Sequence, residues 1–376
     1  AYCYGKEPYE QINELRDFIS LCHKYGMGVT FDVVFNHVYN VKSFNLANML
    51  PYYFFRYKDG KLGNASYCGN EVRTEAFFTR EYLKLLVKRF IDIYDLDGYR
   101  FDLMGILDVE TIEAIRDTAR ELKPDFLMYG EGWNMGDIVP FEYRAIKENA
   151  YKLEGVAFFN DDFRRTIRGN YIDDKNAYML GNVDARDRVK RVMSGSYEYG
   201  LNINQTINYI ECHDNYTVYD KVSRFFDDEK MVTRICKLSM ALVMISRGIP
   251  FINSGEEFLR TKHGIDNTYN LDDSINMLDW HRKNNYLDVA RYFSDLCLLR
   301  KTYKEFTRED TSVEFIDYYE VLIYKLGDLT IYINPCIFDH VYNDESEHEV
   351  IFDDSGFVNY KRSVLKIKAF SILITK

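Results

Sequence analysis

Three carboxylates in this chain sit at the ends of apolar, strand-like runs. Asp102 closes Asp97-Gly98-Tyr99-Arg100-Phe101-Asp102-Leu103-Met104, Glu131 closes Leu127-Met128-Tyr129-Gly130-Glu131-Gly132-Trp133, and Asp214 closes Ile207-Asn208-Tyr209-Ile210-Glu211-Cys212-His213-Asp214-Asn215. Side chains alternate along a strand, so Arg100 and Asp102 share one side while Tyr99 and Phe101 share the other. The arginine favours the ionised form of Asp102, which suits a nucleophile. Glu131 lies between two glycines and beside Trp133, a setting that would desolvate it and favour the protonated form a general acid needs. Two carboxylates in these complementary states are what glycoside hydrolysis requires. Asp214 would then hold sugar hydroxyls, with His37 and His213 as neutral donors around the same ring.

Taken singly, each residue has an ordinary reading. A strand-end aspartate more often caps the next helix than catalyses, and an arginine two residues from an aspartate is usually a plain ion pair. His37 or His213 alone reads as a satisfied polar residue or a metal ligand, Trp133 alone reads as core, and Asp32 and Asn36 could simply hydrogen-bond a sheet rim. Those readings do not explain why all of these residues recur in order at strand ends.

The elements that must position them alternate. Residues Pro8 to Tyr25 read as a helix stopped by Gly26, and Val29 to Phe35 as a strand delivering Asn36 and His37. Arg80 to Tyr94 reads as a helix before the Asp102 strand, Val109 to Leu122 as a helix before a strand at Phe126 to Tyr129, and Gly155 to Phe159 as a further strand. After a polar excursion from Asp161 to about Asn204 come the Asp214 strand, a helix from Met231 to Ile245 and a strand from Ile249 to Asn253. Alternation of this kind implies a parallel α/β sheet, and catalytic groups at strand ends imply a (β/α) barrel. Six barrel strands are legible where eight are expected, so the barrel reads as lacking its first two. From about Glu309 the pattern changes to short runs, Val321 to Lys325, Leu329 to Ile333, Glu349 to Phe352 and Val364 to Ile367, which reads as a small antiparallel β domain. The expected division is thus 1–307 for the barrel and 308–376 for the β domain.

With 376 residues the chain can bury a sizeable core. Its formal charge of −11 disfavours nucleic acid or an anionic membrane as partner. No apolar run approaches the roughly 20 residues that span a bilayer. The cysteines Cys3, Cys22, Cys68, Cys212, Cys236, Cys297 and Cys336 are odd in number and scattered, which suits a reducing, cytoplasmic compartment.

Four segments, Asp32-Val33-Val34-Phe35-Asn36-His37, the run ending in Asp102, Gly130-Glu131-Gly132-Trp133 and Tyr209 to Asn215, resemble in order the signature regions of the α-amylase superfamily. By that resemblance Asp102 is the nucleophile, Glu131 the acid/base and Asp214 the transition-state stabiliser, while His37, Arg100 and His213 bind substrate. The Leu103-Met104-Gly105 tail, the run Gly248 to Lys262 and the segment around Asn270 and Trp280 are similar to type I pullulanases. That likeness implies cleavage of α-1,6 branch links in pullulan, glycogen or limit dextrins, with Trp133 and Asn270 as further substrate contacts. It implies no organic cofactor and allows a calcium ion, although no EF-hand-like ligand run is present.

The expected mechanism is retaining, with the Asp102 and Glu131 carboxyl groups about 5 to 6 Å apart; a separation near 9 Å would point to inversion. An isoamylase, branching enzyme or α-amylase of the same superfamily is the nearest alternative, and an inactive carbohydrate-binding relative is another. A phosphate-handling barrel is disfavoured because Ser254-Gly255-Glu256-Glu257 would repel phosphate.

Overall fold

A computed structural model describes residues 5–170, 172–195 and 201–376. Cys3, one of the seven cysteines, lies outside them. Contacts divide the chain into two compact units. One holds the described residues up to Phe159 together with Leu201; the other holds the remainder. The packing boundary therefore falls earlier than the change from α/β alternation to antiparallel strands.

In the first unit the strands Thr30–Val33, Gly98–Phe101, Leu127–Gly130 and Val156–Phe159 pair in that order, all parallel. Helices Pro8–Lys24, Phe77–Tyr94 and Val109–Leu122 alternate with them. The helix Phe77–Tyr94 buries Leu83, Val87 and Ile91 at helical spacing and ends on Asp95 in the left-handed conformation. The helix Val109–Leu122 starts at Asp108, whose carboxylate accepts from the Thr111 amide at 2.9 Å. Such a cap contributes about 1 kcal/mol, and its presence frees Asp102 from the capping reading. Tyr99 and Phe101 enter one apolar cluster with Ile112, Ile115, Met128 and Phe158, each large side chain contributing roughly 2 kcal/mol by burial. Strand alternation then leaves Arg100 on the opposite face.

Glycines set the spacing. A Cβ on Gly98 would meet the Leu127 carbonyl oxygen at 2.5 Å, one on Gly130 the Phe101 carbonyl oxygen at 2.6 Å, and one on Gly132 a Phe158 ring carbon at 2.4 Å. Of the glycines flanking Glu131, Gly130 is thus required by close backbone approach and Gly132 by the Phe158 ring, rather than by turn conformation.

The second unit contains the parallel pair Thr206–Asn208 and Ile249–Pro250, with helix Glu229–Ile245 between them in sequence. The expected strand through Asn253 stops at Pro250. What reads as a polar excursion in sequence includes two helices, Asp161–Arg168 and Arg186–Met193, each burying one apolar face. Six antiparallel strands complete the unit, in the order Val313–Tyr318, Val321–Leu326, Leu329–Asn334, Ser371–Thr375, His340–Asp353, Gly356–Ile367. Two of them, the first and the last in the chain, are not among the four runs singled out from sequence. The fold is therefore a parallel α/β arrangement followed by an antiparallel β sheet. No helix among the described residues is long and apolar enough to cross a membrane.

Candidate active site

Arg100 organises the first unit's polar site. Its register partner on the neighbouring strand is Asp32, and its Nη1 donates to Asp32 Oδ1 at 2.8 Å and to Asp102 Oδ1 at 3.3 Å. Nη2 donates to Glu131 Oε1. One guanidinium thus holds three carboxylates delivered by three adjacent parallel strands. Burial works against its charge, but Glu131, Asp32 and Asp102 outweigh that and raise its pKa above the ordinary value. The guanidinium stays charged at any working pH.

The remaining oxygens are also engaged. Asp102 Oδ2 accepts from Asn36 Nδ2 at 3.3 Å, and the same amide donates to the Asp102 main-chain oxygen. Asn36 is fully buried and its side-chain oxygen meets His37 Nδ1. His37 is thereby tied to the nucleophile candidate through Asn36. Glu131 Oε2 accepts from the Leu103 amide at 3.0 Å. Leu103 adopts φ of 38°, a left-handed conformation that is unfavourable for a bulky side chain. The turn after Asp102 therefore aims a backbone donor at Glu131.

Glu131 is 9% exposed, but its surroundings are not the apolar pocket expected from its neighbours. Its carboxylate lies on Arg100, and the Trp133 ring instead lies under Lys147 Nζ, 4.9 Å from the ring centroid. The Trp133 carbonyl oxygen packs against Gly105, where a Cβ would come within 1.9 Å. Asp32 and Asn36 carry more than a rim role, since they complete the coordination of Arg100 and Asp102. Their place at the end of strand Thr30–Val33 and just past it is the signal that could have placed them; nothing in sequence marks the Leu103 amide or Lys147.

In the second unit Asp214 and His213 stand on an exposed turn, His213 Nε2 lying 3.5 Å from Asp214 Oδ1. Asp214 is not a helix cap: the following helix Val218–Val222 is capped by Thr217. Lys262 Nζ pins the turn by donating to the main-chain oxygens of His213 at 3.2 Å and Asn215 at 2.6 Å. Arg164 Nη2 donates to Asn215 Oδ1. Burial, with the neighbouring Arg260, lowers the Lys262 pKa. Asn270 is exposed beside the turn closed by Leu271 N on the Thr268 oxygen, and its side chain makes no hydrogen bond among the described residues. Of the expected site residues, the structure brings Asp102, Glu131 and Arg100 together, links His37 to them through Asn36, and pairs His213 with Asp214. Among the described residues no group of three or more His, Cys, Asp or Glu side chains is placed to hold a metal ion.

No family model matches the chain. It is 35% identical over 339 residues to the pullulanase of Bacillus subtilis strain 168, an alignment covering 86% of this chain and 47% of that protein. Among solved structures, the pullulanase of Anoxybacillus sp. LM18-11 complexed with maltotetraose matches with a TM-score of 0.92 and 30% identity, over 98% of this chain and 57% of that one. The pullulanase of Bacillus acidopullulyticus matches with a TM-score of 0.93 and 29% identity, over 100% of this chain and 49% of that one. The chain spans about half the length of these relatives.

Proposed function

We infer that this chain, a homologue of the pullulanases, carries the catalytic machinery of a retaining glycoside hydrolase that cleaves α-1,6 links in pullulan, glycogen or limit dextrins. The observation that carries the reading is the single guanidinium of Arg100 holding Asp102 and Glu131 at the ends of adjacent parallel strands. Residues 1–307 would form the (β/α) barrel part and 308–376 the antiparallel β domain. The bound maltotetraose of one structural relative supports an α-glucan ligand.

Asp102 is oriented by Arg100 and Asn36, so its carboxylate attacks the anomeric carbon as the glycosidic C–O bond breaks and Glu131 gives its proton to the departing oxygen. Glu131 then takes a proton from water, which attacks the same carbon and releases Asp102. Two inversions give retention. For the first step Glu131 must be protonated, so substrate entry has to displace it from Arg100. Asp214, with His213 beside it, would bind hydroxyls of the distorted sugar, and His37, Trp133 and Asn270 would contact other parts of the chain of sugars. The odd number and scatter of the cysteines suit a reducing, cytoplasmic setting.

The test is reducing-sugar release from pullulan and from amylose, each with the wild type and with Asp102→Asn. Release from pullulan that is lost in the variant supports the reading. Cleavage of amylose with pullulan left intact would make it an α-amylase-type enzyme, and binding without any cleavage would make it a carbohydrate-binding relative.

A further inference from the structure

Glu211 and Glu256 are ionisable side chains that the mechanism above does not use, and both are buried, at 1% and 4% exposure. Glu211 stands three residues before Asp214. Its Oε2 accepts from the Val218 amide at 2.6 Å, so its own side chain closes the loop that has Asp214 near its tip. Its Oε1 accepts from Asn253 Nδ2 at 2.9 Å. Asn253 in turn donates its backbone N–H to Glu256 Oε2 at 3.2 Å. Glu256 Oε1 is buried with no hydrogen-bond partner among the described residues.

We propose that Glu256 is held as a neutral acid and, through Asn253, fixes the Glu211 carboxylate that closes the Asp214 loop, making Glu211, Asn253 and Glu256 positioning residues for Asp214. The inference rests on the reading of Asp214 as a substrate contact. A carboxylate with one oxygen unpartnered in the interior is strongly disfavoured, whereas the neutral acid avoids most of that penalty. Glu211 makes the opposite choice easier, because both its oxygens receive N–H donors.

The surroundings agree. Helix Asp161–Arg168 brings Arg168, whose charge favours ionisation of Glu211 and, more weakly than the opposing burial and carboxylate charges, of Glu256. The loop after Glu256 brings Arg260, which turns its Nη2 to the Asn276 oxygen at 2.6 Å and leaves its Nε buried with no hydrogen-bond partner among the described residues. On its own turn Glu256 faces the like charge of Glu257, helix Glu229–Ile245 brings the buried thiol of Cys236, and helix Val218–Val222 brings Tyr219 to the same void. Cys212 follows Glu211 in the segment beyond strand Thr206–Asn208, its thiol pushed up by burial. Burial raises the pKa of Glu211 and, with the Glu211 charge added, pushes that of Glu256 well above the ordinary carboxylate value. The void between the two glutamates is about 10 Å³, at the lower edge of what one water needs.

The test uses the whole chain and three variants, Glu256→Gln, Glu256→Ala and Glu211→Gln. A folded-state carboxyl with a raised pKa binds its proton where the unfolded chain has lost it, so wild-type stability falls as pH rises above the ordinary carboxyl range, until the folded group also ionises. Glu256→Gln, a neutral isostere, should flatten that fall in the unfolding midpoint and keep kcat on pullulan within twofold at neutral pH. Glu256→Ala should flatten it too but lower kcat tenfold or more, with KM changed less than threefold. Glu211→Gln should lower kcat similarly, because its single amide oxygen can replace only one of the two acceptors and its NH2 faces the other donor, Val218 or Asn253. An unchanged pH slope in Glu256→Gln, or a kcat loss equal to that of Glu256→Ala, overturns the proposal. If the wild type releases no sugar from any α-glucan, the function proposed for the chain fails, and the pH slope together with maltotriose affinity in the same variants still decides this inference.

Discussion

Replacing Arg100 by methionine tests whether one buried cation organises the first unit's site. Arg100 is 8% exposed and Glu131 9%, so the variant strands a buried carboxylate, a change that costs about 3 to 5 kcal/mol. The contact to Asp32 adds little, since that side chain is 59% exposed and such pairs are worth roughly 0 to 1 kcal/mol. Asp102 is intermediate at 25% side-chain exposure and keeps its bond from Asn36. The expected loss is therefore about 3 to 4 kcal/mol, almost all of it from Glu131. Two further variants apportion it. Arg100→Lys keeps the charge but cannot span both carboxylates with a fork, so about half the loss should remain. The double variant Arg100→Met, Glu131→Met removes both partners and should recover to within about 1 kcal/mol of wild type. Urea unfolding followed by fluorescence and circular dichroism measures all three. A double variant no more stable than Arg100→Met alone would refute the reasoning, because the stranded charge would not be the source of the loss.

Glu131→Gln should abolish turnover while leaving maltotriose affinity within a few fold, measured by titration calorimetry; persistent turnover would remove its acid role. Gly105→Ala forces a methyl against the Trp133 carbonyl oxygen at 1.9 Å and should cost about 1 to 3 kcal/mol, read as a lowered thermal midpoint. An unchanged midpoint would show that the segment carrying Trp133 shifts freely. Lys221 is 1% exposed, and burial, with Arg168 and Arg164 nearby, lowers its pKa to about 8. The folded state gives up that proton before the unfolded chain does, so the group's penalty shrinks as pH rises from about 8 toward the ordinary lysine value. Lys221→Met should remove that alkaline gain in the thermal midpoint, and a variant with the same slope as wild type would contradict it.

The alternation of helices and parallel strands was legible because each helix carries its apolar face at helical spacing and each strand a short apolar run. The helix Val109–Leu122 matches residue for residue, since Asp108 caps it and Leu122 ends its stripe. The helices Asp161–Arg168 and Arg186–Met193 were not legible, because charged residues outnumber their few apolar ones and only tertiary packing shows which face is buried. Val313–Tyr318 and Ser371–Thr375 went unread for a different reason: one is half-buried and interrupted by acids, the other is a short run at the end of the chain.

The site divides the same way. Arg100 and Asp102 on one face followed directly from period two, and Glu131 from its glycines. The environment of Glu131 did not follow, because the expectation of an apolar pocket came from its sequence neighbour Trp133, whereas the contact that matters comes from Arg100 on another strand. Asn36 was underestimated for the same reason, its partner Asp102 lying 66 positions along the chain.

The central claim, a retaining cleavage of α-1,6 links by Asp102 and Glu131, is tested most directly by proton NMR of pullulan during the first minutes of digestion. The account predicts maltotriose released first as the α-anomer, with the β-anomer growing in only by mutarotation. Release of the β-anomer first, or no maltotriose at all, would contradict it.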